Sequence, residues 1–146
     1  RRGTWVTYTP DDGLLSNEIS SICIDGDSVW FGTKGGVSRL NTKTEEWSSF
    51  TRTNGLTINQ ITQIVAKGDD VWFGTFEDGL LRYNKKTEIW KHFTRADGLS
   101  HNRVFDIATD EDFLWIGTAR GLSRYDTLTD TWTIFTQHFD EEEDRK

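Results

Sequence analysis

Trp30-Phe31-Gly32-Thr33, Trp72-Phe73-Gly74-Thr75 and Trp115-Ile116-Gly117-Thr118 are one phrase written three times, at spacings of 42 and 43 residues. A period of that length marks a repeat architecture, in which a supersecondary unit is stabilised by stacking on its neighbours. A second tryptophan series keeps the same step: Trp5, Trp47, Trp90 and Trp132. Between the two series recur Gly36, Gly79 and Gly121, then Arg39, Arg82 and Arg124, then Thr44, Thr87 and Thr129. The one change of length is an extra residue in Phe76-Glu77-Asp78-Gly79, where the other copies read Lys34-Gly35-Gly36 and Ala119-Arg120-Gly121. An insertion accepted at a single point of a periodic sequence places a loop there.

Turn residues cut each copy into four strand-sized pieces, a to d. Strand a is expected at 18–24, 60–66 and 103–109, and strand b at 28–33, 70–75 and 113–118. Strand c is expected at 36–41, 79–84 and 121–126, and strand d at 45–51, 88–94 and 130–136. Each copy is then a four-stranded antiparallel meander. Pieces a and b are apolar on both sides, as in Ile61, Ile64, Val65 and Val71-Trp72-Phe73, so both faces of the sheet must be covered. Meanders of about 40 to 45 residues buried on two faces stack as β-propeller blades. A sandwich would leave one wet face on each sheet.

The resulting organisation is all-β. Residues 1–16 carry an extra outer strand, Thr4-Trp5-Val6-Thr7-Tyr8-Thr9, and a linker loop; blades follow at 17–51, 52–94 and 95–136; residues 137–146 form an acidic, disordered tail. The extra strand is assigned because Trp5 stands 42 residues before Trp47.

Three blades do not close a circle, since propellers carry about four to eight. Two open faces of on the order of 400 Å² each would forgo about 10 kcal/mol apiece. The incomplete ring is therefore expected to be completed by oligomerisation. A homodimer gives six blades, the only multiple of three in the usual range. The surplus outer strand fits this poorly, because residues 130–136 already claim the edge it would take. A fragment of a longer seven-bladed protein is the alternative.

Asp97-Gly98-Leu99-Ser100-His101-Asn102-Arg103-Val104-Phe105-Asp106-Ile107, then Leu114-Trp115-Ile116-Gly117-Thr118 and Gly121-Leu122-Ser123-Arg124-Tyr125-Asp126, closing with Trp132-Thr133-Ile134-Phe135-Thr136, resembles the two-component regulator propeller repeat. The resemblance covers residues 4–136 and returns in every copy. It implies seven-bladed propellers, often two in tandem, that form the extracytoplasmic sensing part of bacterial hybrid histidine kinases responding to carbohydrate. An extracytoplasmic or periplasmic location is implied by that resemblance alone. The chain departs from the family pattern in having no kinase, no transmembrane helix and too few blades.

Composition excludes several function classes. Of 146 residues, 24 are Asp or Glu and 17 Lys or Arg, a formal charge of −7 that disfavours docking on a phosphate backbone. No nucleic-acid partner is expected, and no apolar run approaches a membrane span. Cys23, the single cysteine, lies in Ile22-Cys23-Ile24 and reads as a small buried hydrophobe. The chain starts Arg1-Arg2-Gly3 and contains no Met, so the N-terminus reads as processed or trimmed.

Trp5, Trp30, Trp47, Trp72, Trp90, Trp115 and Trp132 read as blade-packing groups. Arg39, Arg82 and Arg124, once per blade, read as structural ion-pairing or backbone-bonding residues. Asn17, Asn59 and Asn102 read as caps of the d-to-a loops. Function is expected where the copies differ, at the rim shared by the b-to-c and d-to-a loops. Candidate ligand-binding residues there are Lys34, Phe76, Glu77 and Arg120 with Arg52, Arg95 and His101, joined by Asn54 and Ile58. Cations, an acid, amides and an aromatic suit a polar ligand such as a carbohydrate or a peptide.

His92, His101 and His138 occupy three different repeat positions and lack the spacing of a zinc site, so no metal and no cofactor are expected. The Asp-rich turns lack the twelve-residue calcium-loop pattern. The leading expectation is a non-catalytic binding or sensing scaffold that assembles with itself. A ligand-free structural or engineered scaffold is the second reading, and a lyase using His101 and Glu77 as base and acid is the third.

Overall fold

A computed structural model describes residues 3–51 and 60–136. Arg52, Asn54, Ile58, Asn59, His138 and the acidic tail lie outside the described residues. The twelve strands among them form three four-stranded antiparallel sheets, each a simple meander. Sheet one holds β1 (Ile19–Asp25), β2 (Ser28–Thr33), β3 (Gly36–Asn41) and β4 (Trp47–Phe50). Sheet two holds β5 (Ile61–Lys67), β6 (Asp70–Thr75), β7 (Leu80–Asn84) and β8 (Ile89–Phe93). Sheet three holds β9 (Val104–Thr109), β10 (Phe113–Thr118), β11 (Gly121–Asp126) and β12 (Thr131–Phe135).

The repeated letters have repeated physical jobs. The threonine closing each tryptophan phrase donates its hydroxyl to the glycine carbonyl across the b-to-c turn: Thr33 to Gly36 at 2.9 Å, Thr75 to Gly79 at 2.8 Å, Thr118 to Gly121 at 3.0 Å. In the c-to-d turn Asn41, Asn84 or Asp126 accepts from two backbone N–H groups. There Glu45, Glu88 and Asp130 take left-handed φ values of 64°, 59° and 57°. Each outer strand consequently begins one or two residues later than the sequence suggests. A bulge at Ser20, Thr62 and Phe105 bends the innermost strand of every sheet at the same place.

Side-chain alternation sends successive residues of the middle sheet to opposite neighbours. Val71, Phe73, Leu81 and Tyr83 pack with Trp30 and Val37 of sheet one. Trp72, Leu80 and Phe93 pack with Val104, Ile107, Leu114, Ile116 and Tyr125 of sheet three. Trp30 lies 5.8 Å from Phe73 and 5.6 Å from Tyr83, and Trp72 lies 5.3 Å from Tyr125, all edge to face. These are the two blade-to-blade cores. Ion and hydrogen-bond contacts edge them: Lys85 Nζ meets Asp25 at 2.7 Å with both side chains largely covered, and Thr62 donates to the Val104 carbonyl at 2.7 Å.

The extra outer strand is not formed. Residues 3–9 carry no ladder, and Trp5 is 97% exposed. The segment has the register of a d strand, yet β3, β7 and β11 are each already paired with their own outer strand. Among the described residues it therefore has no free c strand to sit on. Its far end is nonetheless built like a blade exit. Thr9 caps the 3₁₀ turn Pro10–Asp12 as Thr94 caps Arg95–Asp97, each with a capping box and a positive-φ glycine, Gly13 or Gly98.

Arg39, Arg82 and Arg124 make neither ion pairs nor backbone bonds with the described residues. Their guanidinium groups lie over Trp30, Trp72 and Trp115 at 4.8, 5.5 and 5.5 Å, a cation–π role for the once-per-blade arginine. Cys23 is half-buried beside the first core, and burial raises its thiol pKa.

Tyr125 is fully covered between sheets two and three and donates to Asp130. Burial pushes its phenol up to about 12, with the Asp130 hydrogen bond and charge adding to the rise. The unfolded phenol titrates near 10, so the stability this group contributes is complete below pH 10 and is lost as pH rises towards 12. Burial raises Tyr83 too, so alkaline difference absorbance should show both ionising late, and Tyr125→Phe should remove the phase near pH 12 and flatten the accompanying stability loss.

Candidate functional site

The b-to-c and d-to-a loops do meet along one rim. In each sheet the residue after strand b donates its N–H to the residue before strand a: Lys34 to Glu18 at 3.2 Å, Phe76 to Gln60 at 2.9 Å, Ala119 to Arg103 at 3.1 Å. Between sheets two and three the rim is stitched further, by Gly79 N–H to the Asn102 carbonyl at 2.7 Å. The d-to-a loop there is held by Asn102, whose Oδ1 accepts from Arg95 N–H at 2.9 Å, and by His101, whose Nδ1 accepts from Arg103 N–H at 3.0 Å. Asn102 thus has the capping role expected of it. At the same offset before Asn17 stands Pro10, which has no N–H to donate.

The inserted residue in Phe76-Glu77-Asp78 is absorbed by the same threonine. Asp78 N–H reaches Thr75 Oγ1 at 2.9 Å, where Gly35 and Arg120 make the equivalent bond one residue earlier in their shorter turns. The longer loop pushes an exposed Phe76 and Glu77 out over the neighbouring blade. The Arg103 guanidinium lies 4.4 Å above the Phe76 ring, and its Nη2 is 3.5 Å from Glu77. Arg103 Nε is buried and finds no acceptor among the described residues. His92 Nε2 bonds the Asp78 carbonyl from the outer strand, which fixes the base of the same loop.

Phe76, Glu77, Arg95 and His101 are therefore brought to one stretch of rim, where the second and third blades meet. Lys34 stands apart, paired with Glu18 at 3.4 Å on sheet one, and Arg120 occupies the rim of sheet three. Both cross-rim ion pairs are exposed, so each is worth well under about 1 kcal/mol and can be exchanged for a ligand's polar groups at little cost. Arg103 is the residue that reading the sequence for loop tips missed. It stands immediately before a strand, yet Glu18, Gln60 and Arg103 share one repeat position and differ in all three copies. That variation in an otherwise constant frame was the available signal.

Among the described residues there is no cluster of three or more His, Cys, Asp or Glu side chains placed to hold a metal ion. The acidic turn of sheet three differs from its glycine-containing counterparts. Asp110 accepts from Trp115 Nε1 at 3.0 Å and from the Asp112 and Phe113 N–H groups at 2.9 and 2.8 Å. The indole bond first, then the two backbone bonds, lower the Asp110 pKa. The acid is a turn-former. No helix among the described residues is long and apolar enough to cross a membrane.

The family model described as two component regulator propeller matches residues 13–35. The extracellular domain of the putative hybrid two component system BT3049 from B. thetaiotaomicron superimposes with a TM-score of 0.76 and 20% identity, over 90% of this chain and 20% of that one. The corresponding domain of BT4673 from the same organism gives 0.70 and 25% identity, over 83% and 17%. The computationally designed Ika4 protein gives 0.66 and 11% identity, over 96% and 82%. The chain thus spans about a fifth of the length of the extracellular domains it matches. No curated protein matches its sequence.

Proposed function

We propose that this chain, which carries the two component regulator propeller repeat, is a non-catalytic propeller module: a partial ring that assembles to closure and presents its loop rim to a polar ligand such as a carbohydrate. The observation that carries the reading is the Phe76–Arg103–Glu77 group. It offers an apolar ring for stacking on a sugar face, an acid to accept hydroxyl hydrogens and a cation with an unused donor. That is the mixture a polyhydroxylated ligand needs. His101 lends its Nδ1 to the backbone and Glu77 is paired with Arg103.

The similar extracellular domains support a sensing role outside the cytoplasm. Their greater length supports a second reading, in which the three blades are part of a larger seven-bladed sensor and further blades of the same polypeptide complete the ring. A third alternative, a self-assembling scaffold without a ligand, is separated from both by binding. On a glycan array the chain should bind, and Phe76→Ala and Arg103→Ala should each weaken the strongest signal at least about tenfold, equivalent to about 1.4 kcal/mol. Silence of the wild-type chain across the array would favour the ligand-free scaffold. Binding that ignores both substitutions would move the ligand site off this rim.

A further inference from the structure

The rim where the second and third blades meet is charged unevenly, and the unevenness follows the blades. Arg95, His101, Arg103 and Arg120 belong to the third blade, and at the same repeat positions the first blade has Pro10, Ser16, Glu18 and Gly35. Three cations and an imidazole thus stand where the first copy has none, in a chain whose formal charge is −7. Backbone hydrogen bonds hold their anchor points together. Arg95 N–H donates to Asn102 Oδ1 at 2.9 Å, Arg103 N–H to His101 Nδ1 at 3.0 Å, and Ala119 N–H, beside Arg120, to the Arg103 carbonyl at 3.1 Å. Two of the acids on this stretch, Glu77 and Asp78, come from the inserted loop of the second blade. The third, Asp97, accepts the Thr94 N–H at 2.9 Å in the capping box of its own turn.

The four third-blade residues have hydrogen-bond donors to spare. An imidazole whose Nδ1 accepts carries its proton on Nε2, so His101 is a donor there. That Nε2 and the guanidinium groups of Arg95 and Arg120 bond nothing among the described residues. Arg103 lies over Phe76, but its Nη2 contact with Glu77, at 3.5 Å, is longer than a good hydrogen bond, and its buried Nε finds no acceptor among the described residues. A sugar hydroxyl brings a donor of its own to such a group. A carboxylate brings only acceptors and a negative charge, and its two oxygens match the planar arginine fork.

We infer, building on the carbohydrate reading above, that the ligand of this rim is a sugar acid: its carboxylate is taken by the arginines and His101 of the third blade, and its ring and hydroxyls are left to Phe76 and Glu77 of the second.

The test is one glycan array printed twice, once with free carboxylates and once with every carboxylate converted to its methyl ester, which removes the charge and keeps the rings and hydroxyls. The full chain should give its strongest signals on carboxylated glycans, and esterification should weaken those at least about tenfold, the scale of one charge-assisted contact. Raising salt from about 50 to 500 mM should shrink that ratio, because the charges are exposed. Arg95→Gln and Arg120→Gln should each lower it about threefold, whereas Phe76→Ala should weaken free acid and ester alike. Strongest signals on neutral or sulfated glycans, or equal binding before and after esterification, would overturn the carboxylate assignment and leave the carbohydrate reading standing. An acid preference indifferent to both arginine substitutions would overturn the assignment to the third-blade cations. Silence on both arrays would overturn the inference and the carbohydrate reading together.

Discussion

Trp72→Ala is expected to cost about 3–5 kcal/mol of folding stability, the range for a large aromatic removed from a packed interior. Trp72 is fully buried and lies 5.7 Å from Phe93, 5.3 Å from Tyr125 and 5.5 Å from the Arg82 guanidinium. It meets Tyr125 across the junction of the second and third sheets, where Phe93 also meets Tyr125 and Trp132. Its repeat equivalent Trp115 touches only its own sheet, so Trp115→Ala should cost the monomeric chain less than half as much. The Trp72 indole N–H is buried and finds no acceptor among the described residues, a cost the chain already bears. Trp72→Phe should therefore be markedly milder than Trp72→Ala. Urea unfolding followed by circular dichroism, at concentrations where each variant is monomeric, measures all three. Equal losses for Trp72→Ala and Trp115→Ala would mean that the tryptophans stabilise within sheets, not between them.

Gly79→Ala should be the most damaging small substitution, at about 2–5 kcal/mol. The residue has φ +83°, and a Cβ would lie 2.2 Å from the Phe93 carbonyl oxygen. The strained φ contributes about 1–3 kcal/mol, and displacing a backbone strand adds a comparable overpacking cost. The displacement also pulls on the Gly79–Asn102 bond that ties the inserted loop to the next blade. Ligand binding at the Phe76 group should then fall together with stability. Gly26→Ala is the control: φ is +57° but nothing lies within 4 Å of the added carbon, so it should cost about 1 kcal/mol and leave binding alone. If the two alanine variants proved equally stable, the close approach of the c-to-d hairpin at Gly79 would be wrong.

Both predictions bear on how the rim works. The loop carrying Phe76 and Glu77 is set by Thr75, Gly79 and His92 from one blade and by Asn102 from the next. The candidate site is thus a property of a blade-to-blade junction, the same junction that Trp72 and Tyr125 pack. Phe76 and Glu77 were legible as candidates because an insertion in a strict repeat announces a loop free to vary. Arg103 was not, because it stands immediately before a strand and gains its role only from a loop one blade away. The once-per-blade arginines were legible as structural, but their partner was misjudged: they stack on tryptophan faces of the adjoining strand, a geometry fixed by strand register.

Strand number, order and turn positions could all be read from the chain, because a 42-residue period, hairpin turns and in/out alternation are encoded by neighbouring residues. The fate of an apolar residue could not. Ile22 and Ile64 occupy the same place in the same kind of strand, and one is solvated while the other is buried, because among the described residues sheet two has a neighbour on that side and sheet one does not. The segment 4–9 carries the letters of an outer strand and still forms none, since a strand exists only by pairing and every c strand within reach is taken. Local pattern specifies what a blade is; the supply of neighbours, a non-local quantity, decides which surfaces are core and which stay exposed.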